Sequence, residues 1–207
     1  MVDYRLNFED HINIKVKKAN GLMGMIRRTF QFLTRKAFIP LYKTIVRNGI
    51  EYGGTVWSPY KMKDIEKVER VQKRATKMLP GLKDKSYQER LRILNLPTLR
   101  HRRTRGDMIQ TYKILHGLYD KEVSPKLTLK SELGKVLRGH TMQLHQHRAR
   151  LDVRKHSFTH RIVPIWNSLS NEIVTAPSVN AFKNRLDKFW KNKEAIYNYK
   201  VGILPED

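Results

Sequence analysis

Along most of this chain the apolar side chains return every three or four residues, and that spacing constrains its fold more than any other feature. The segment Asp64 to Leu79 shows it most cleanly. On a helical wheel Ile65, Val68, Val71, Gln72, Ala75, Met78 and Leu79 share one side, while Lys63, Lys67, Arg70, Arg74 and Lys77 take the other. Residues three and four apart stack on one face of an α-helix, so this segment predicts a helix with one face in a core and a basic face outside it. Glu66 and Glu69 lie near the edge of the basic face, at helical spacing from Arg70 and Lys73. Pro80-Gly81 ends the pattern.

The same spacing recurs on both sides. Ile12, Val16, Ala19, Met23, Ile26, Phe30 and Leu33 predict an amphipathic helix with its start marked by Asn7 and Asp10, and Lys15, Lys18, Arg27 and Arg28 fall outside its apolar stripe. Gly21 and Gly24 weaken that helix and are expected to permit close packing. Thr34 can cap a second helix running towards Asn48, with a kink or restart at Pro40. The run IEYGGTVW, closed by Ser58-Pro59, predicts a tight buried turn or short helix around Trp57. Ser86 with Glu89 three residues on is a capping-box signature for a short helix ending at Asn95.

Leu96 to Tyr119 divides in two. Its second half sets Met108, Tyr112, Leu115 and Tyr119 on one helical face, a packing tail; its first half crowds Arg100, Arg102, Arg103 and Arg105 around His101, an anion-facing head. Pro97 and Thr98 stand near its start. Beyond Asp120 the periodicity fades into a loop or linker containing Pro125 and Gly134, and Gln143 to Phe158 alternates like a weak β-hairpin. Helix is expected again at Ser157 to Leu169 and at Ser178 to Trp190, the latter with Val179, Phe182, Leu186 and Phe189 on one face, before a loosely ordered tail from Lys191. Trp57, Trp166 and Trp190 sit among aliphatic residues and are expected in cores.

Charge speaks to partners. The chain has 207 residues, enough for one large domain or two small ones, and a formal net charge of +23. Nucleic acid is the leading partner, since each neutralised phosphate releases counterions. An anionic membrane surface and an acidic protein follow. Four arginines within six residues repel one another unless an anion meets them. The candidate contacts are therefore Lys63, Lys67, Arg70, Arg74, Lys77, Arg100, Arg102, Arg103, Arg105, Arg148 and Arg150. They would hold the phosphate backbone, because nothing in the chain resembles a base-reading helix or an aromatic RNA-recognition motif.

Several chemistries are excluded or unexpected. There is no cysteine, hence no disulfide, thiolate zinc site or cysteine nucleophile. His140, His145, His147, His156 and His160 cluster in sequence, but only Asp152 accompanies them and the surroundings are rich in arginine, so solvated or phosphate-facing histidines are expected rather than a metal site. No G-x-S-x-G, P-loop or H-E-x-x-H is present, and no tight carboxylate pair suited to a two-metal site. Asp107 is expected to pair with the arginine run. No enzyme activity, cofactor or small-molecule substrate is expected. The first residues show no secretory signal and no apolar stretch approaches the roughly 20 residues that span a bilayer, so an intracellular protein, nuclear or cytoplasmic, is expected.

The blocks LYKTIVRNGIEYGGTVWSPY, DIEKVERVQKRATKMLPGL, SYQERLRILNLPTLRHRRTRGDMIQTYKILHGLYD, RGH and IWNSLSNEIVTAPSVNAFKNRLDKFW, in this order, resemble non-LTR retrotransposon polyproteins. The similarity is to the jockey-like and chicken-repeat-like LINE reverse transcriptases, in the region after the catalytic palm, and it covers about Val2 to Trp190. The resemblance implies a helical thumb at roughly residues 7–82 followed by a basic C-terminal region. Taken with the residue patterns, a mainly α fold is expected: a helical thumb-like bundle over residues 1–82 with a palm-strand remnant at Val2 to Leu6, connecting helices and a linker over 83–138, a small basic helical region with a possible short β-hairpin over 139–190, and a loose tail over 191–207. The resemblance also implies a grip on RNA or an RNA/DNA hybrid, with DNA and the palm domain of a reverse transcriptase as further partners. The palm aspartates and the endonuclease of such proteins have no counterpart here, and without cysteine neither does their C-terminal knuckle. No catalytic residue carries over. The function expected is a non-catalytic nucleic-acid-binding fragment. The alternatives are an interaction module for an acidic protein or anionic membrane, and a truncated element copy without function.

Overall fold

The apolar spacing is realised as helices nearly throughout. The structure, a computed structural model, describes residues 8–134 and 139–204. The strand remnant expected at Val2 to Leu6, and the helix start at Asn7, lie outside those residues. The described chain is mainly helical, and its only β pairing is an isolated antiparallel bridge between Leu129 and Leu144. Among the described residues, no helix is long and apolar enough to cross a membrane.

Two compact units divide the chain: Met1–Arg103 with Glu194–Gly202, and Thr104–Lys193 with Ile203–Asp207. The boundary falls inside a helix rather than after residues 82 or 138. The expected loose tail is also corrected. Residues 194–202 belong to the first unit, where the Thr98 N–H and hydroxyl donate to the carbonyls of Ile196 (2.8 Å) and Ala195 (3.1 Å), and Ala195 and Tyr199 are buried.

In the first unit, α1 (Glu9–Thr29) turns Ile12, Ala19, Met23 and Ile26 inward, with Glu9 and Asp10 at its positive end and Arg27 and Arg28 at its negative end. Gly21 and Gly24 do not serve close packing: a Cβ added at either would meet nothing within 4 Å. Thr34 caps α2 (Arg35–Leu41) by accepting the Ala37 N–H. After Pro40 the chain widens into a π-helical turn at Tyr42–Arg47 and passes on into α3 (Asn48–Glu51). Proline has no N–H to give and its ring crowds the preceding turn, so the α-helical ladder cannot pass through it unchanged. The Thr44 hydroxyl donates to the Pro40 carbonyl at 2.9 Å. Gly53, at φ 68°, turns the chain into α4 (Gly54–Trp57), and the buried Trp57 indole donates to the Tyr52 carbonyl. Then α5 (Met62–Thr76) lies beside α1 in parallel register, Lys63 meeting Glu9 and Lys67 meeting Asn13. The capping box at Ser86 forms as its spacing predicts and starts α6 (Tyr87–Leu94), which ends on Asn95 in the left-handed region.

The helix α7 (Leu99–Leu115) begins in the first unit and continues in the second. There Met108 and Tyr112 are fully buried, Leu115 is half-buried, and Tyr119 lies beyond the helix and is exposed. The second unit adds α8 (Asp152–Lys155), α9 (Phe158–Asn167), α10 (Asn171–Val174) and α11 (Val179–Trp190). The Phe182 ring stacks on Tyr112 at 4.5 Å and lies 5.9 Å from Trp166, whose indole donates to the Met142 carbonyl. On α11 the inward face is Phe182, Leu186 and Trp190. Phe189 is 45% exposed, against the expected stripe, because Trp190 takes the buried position one residue on. The expected hairpin is corrected too. Residues 128–130 pair briefly with 143–145, through Lys130 N–H to Gln143 O and His145 N–H to Thr128 O, and Asp152 onwards is helical. The arginines and histidines of that stretch are polar at too many alternate positions to bury one face of a sheet.

Candidate nucleic-acid interface

The basic face predicted for Lys63 to Lys77 exists because α5 buries its other side: Ile65, Val68, Val71, Gln72 and Ala75 are all inaccessible. Along the outer face the cations differ. Lys63 donates to both Glu9 carboxylate oxygens, 3.1 and 3.3 Å, and Lys67 donates to Asn13 at 2.9 Å. Both tie α5 to α1. Glu9, gaining these bonds, has its carboxyl held below the ordinary value by the Lys63 ammonium. Arg70, Arg74 and Lys77 are exposed. Arg70 makes only a long contact with Glu66 (3.9 Å), across two mostly solvated side chains, and a pair of that kind is nearly worthless energetically.

Of the four arginines on α7, three make hydrogen bonds within the fold through their guanidinium groups. Arg100 donates to the carbonyls of Tyr199 (2.9 Å) and Lys200 (3.2 Å). Arg102 grips Glu51 with two bonds, 2.5 and 2.9 Å, and Arg105 grips Asp187 with two, 2.6 and 2.7 Å. Arg103 is buried, with its aliphatic stem against Gly54. Two members of the run, Arg102 and Arg105, thus meet carboxylates elsewhere in the same chain. Asp107, at the end of the run, is held bidentately by the Arg161 guanidinium, at 2.9 and 3.1 Å.

Glu69 has the most consequential placement. Sequence spacing set it near the basic face, but it points inward and is fully buried. Both its oxygens accept the Leu99 N–H at 3.1 Å, and Oε1 accepts the Tyr87 hydroxyl at 2.6 Å. A carboxylate thus sits at the positive end of α7, where free N–H groups and the helix dipole favour negative charge. Gln72 extends the network, accepting from the Tyr42 hydroxyl and donating to Tyr87 and to the Pro97 carbonyl. Burial raises the Glu69 carboxyl above its ordinary value; the Tyr87 hydroxyl, the Arg103 guanidinium and the α7 N–H groups pull it down less strongly. Burial likewise pushes the Tyr42 and Tyr87 hydroxyls well up.

Past Thr76 the exposed end of the α5 face opens into a cleft of about 620 Å³, shared with the turn at residues 81–85 and the start of α6. Seven cationic side chains and a single carboxylate, Asp84, line it. Three of the cations, Arg70, Arg74 and Lys77, belong to the predicted face. Lys73, Lys83, Lys85 and Arg90 are not among the predicted contacts. The signal available was the K-D-K turn after Pro80-Gly81, which has no periodicity to reveal which way its side chains face.

In the second unit, Arg148 and Arg150 are exposed on an irregular segment before α8. The nearby histidines split. His145 and His147 are neighbours, ring centroids 4.8 Å apart, but His140 and His160 are buried, contrary to the expectation of solvated rings. The His140 Nε2 lies 3.1 Å from the Trp166 carbonyl, and burial lowers the affinity of both buried rings for a proton. Among the described residues no three side chains of the metal-ligating types converge. The chain matches no protein family, no curated protein and no solved structure to which it was compared.

Proposed function

We propose that this chain is a non-catalytic nucleic-acid-binding segment of a non-LTR reverse transcriptase, holding RNA or an RNA/DNA hybrid by its phosphate backbone. One observation carries the binding: α5, anchored by its buried face, offers Arg70, Arg74 and Lys77 to solvent at helical spacing. At 1.5 Å per residue these three span about 10 Å of helix, which matches about three nucleotides of strand at 3.4 Å each. The exposed Arg148 and Arg150 add charge on the second unit, and the formal charge of +23 provides long-range attraction. The attribution to a reverse transcriptase rests on the sequence blocks alone.

The test is the affinity for single-stranded RNA across a salt series. Three phosphate contacts predict a log–log slope steeper than that of a triple Arg70→Gln, Arg74→Gln, Lys77→Gln variant by about 2, at about 0.7 per phosphate. These side chains are exposed and lack strong partners, so the variant keeps its helicity. A salt-independent affinity, or an unchanged slope in the variant, refutes the proposal.

A further inference from the structure

The cleft beside α5 is charged beyond what a passing strand supplies. A single strand carries one phosphate charge per nucleotide, and a cleft of about 620 Å³ is the size of a pocket for one small ligand. Seven cations converge on it against Asp84 alone. Glu66, on the neighbouring turn of α5, tempers two of them from the rim at 3.8 and 3.9 Å, reaching Lys73 and Arg70.

At the inner wall stands Arg90, only 3% exposed. Its guanidinium is fixed by three neutral oxygens: Nε donates to the Thr76 hydroxyl (3.0 Å), Nη1 to the Lys85 carbonyl (2.5 Å) and Nη2 weakly to the Lys73 carbonyl (3.5 Å). The Tyr87 ring packs against it at 5.6 Å. Among the described residues no carboxylate is paired with it. A buried arginine ordinarily has an anionic partner, because taking a lone charge out of water is costly. Here the wall that lacks a carboxylate is the wall of the cleft, which the other cations also line, Lys73 with its ammonium donating to the Tyr199 hydroxyl at 2.7 Å. Burial opposes the charge on Arg90, and the Tyr87 hydroxyl offsets it only in part.

We infer that this cleft is a site for a polyphosphate group, with Arg90 as its fixed anchor and Lys83 and Lys85 closing over it from the turn. Several negative charges within one small group match the convergence of cations as spaced backbone phosphates do not. Such a group has two sources, the 5′-triphosphate end of an RNA or a free nucleoside triphosphate. The inference rests on the α5 face being phosphate-binding and adds what the cleft at its end selects.

The experiment compares the full chain binding two short RNAs of one sequence, one with a 5′-triphosphate and one with a 5′-hydroxyl, at about 0.15 M salt. Inorganic tripolyphosphate and ATP serve as competitors and are also titrated alone by calorimetry. The triphosphate end is expected to bind roughly tenfold tighter, the worth of about one charge-assisted hydrogen bond. That preference should vanish in a Lys83→Gln, Lys85→Gln variant, whose changed side chains are exposed and leave the fold intact. Arg90→Lys, with circular dichroism as a check of folding, tests the anchor separately. Competition by tripolyphosphate but not ATP assigns the RNA end; equal competition by both assigns the free nucleotide. Equal affinity for the two RNAs, with no tripolyphosphate binding, overturns the cleft inference and leaves the proposed grip on RNA standing. Tripolyphosphate binding without RNA binding does the reverse.

Discussion

Replacing Glu69 with alanine should destabilise the first unit by about 3 kcal/mol, although the residue touches no ligand face. Two donors lose their acceptor in a fully buried place, the Tyr87 hydroxyl and the Leu99 N–H. Each stranded donor costs about 1 to 3 kcal/mol, and the relief of no longer burying a carboxylate offsets part of the sum. Glu69→Gln keeps the shape and one acceptor oxygen, so its cost is about 1 kcal/mol or less. The two variants also separate by pH. Burial raises the folded-state value of Glu69 above the ordinary 4.5, so the native state holds this proton more tightly than the unfolded chain does. Stability drawn from this group is then fully present below 4.5 and is lost as pH rises through the raised value. Measured against Glu69→Gln, the wild type should lose ground steadily as pH climbs from 4.5 through that window. Urea denaturation followed by circular dichroism gives the global cost. Amide exchange at Leu99 reads the local one, with protection falling about 100-fold in the alanine variant. An alanine variant within about 0.5 kcal/mol of wild type would refute the account of α7 as a helix started by a buried carboxylate, and a pH trend of opposite sign would refute burial as the dominant influence on Glu69.

Two further outcomes follow from the packing. Gly21→Ala and Gly24→Ala should each stabilise the protein by about 0.5 to 1 kcal/mol, since both lie mid-helix with open space where the methyl would go; a loss of stability at either would mean that something packs there. Asp107→Ala should destabilise the second unit by about 3 kcal/mol by leaving the Arg161 guanidinium uncompensated, while Asp107→Ala with Arg161→Met should recover most of it in a double-mutant cycle followed by urea denaturation. A coupling near zero would show that the pair is incidental.

What was legible in the sequence was whatever depends on residues within one or two helical turns of each other. The α5 wheel, the Ser86–Glu89 box, the cap at Thr34, the disturbance at Pro40 and the buried Trp57 all rest on contacts a few residues apart, and all are present in the structure. Where a side chain answered to a distant partner, local rules misplaced it. Glu69 sits at helical spacing from cations, yet the N-terminus of α7, 30 residues on, draws it inside. The arginine run was legible as a concentration of charge needing anions, but Glu51 and Asp187 are 51 and 82 residues away from the arginines they hold. Polar pairing depends on angle and proximity in space, and only the packing of helices sets those. The division of α7 between two units, the binding of residues 194–202 and the convergence of Lys83, Lys85 and Arg90 on one cleft were decided the same way. The sequence by itself determined that the chain would be helical, basic and amphipathic, because those properties follow from spacing and composition. Which of its cations remain available to a partner was settled by the tertiary structure, because a carboxylate brought close in the fold satisfies a guanidinium as well as a phosphate can.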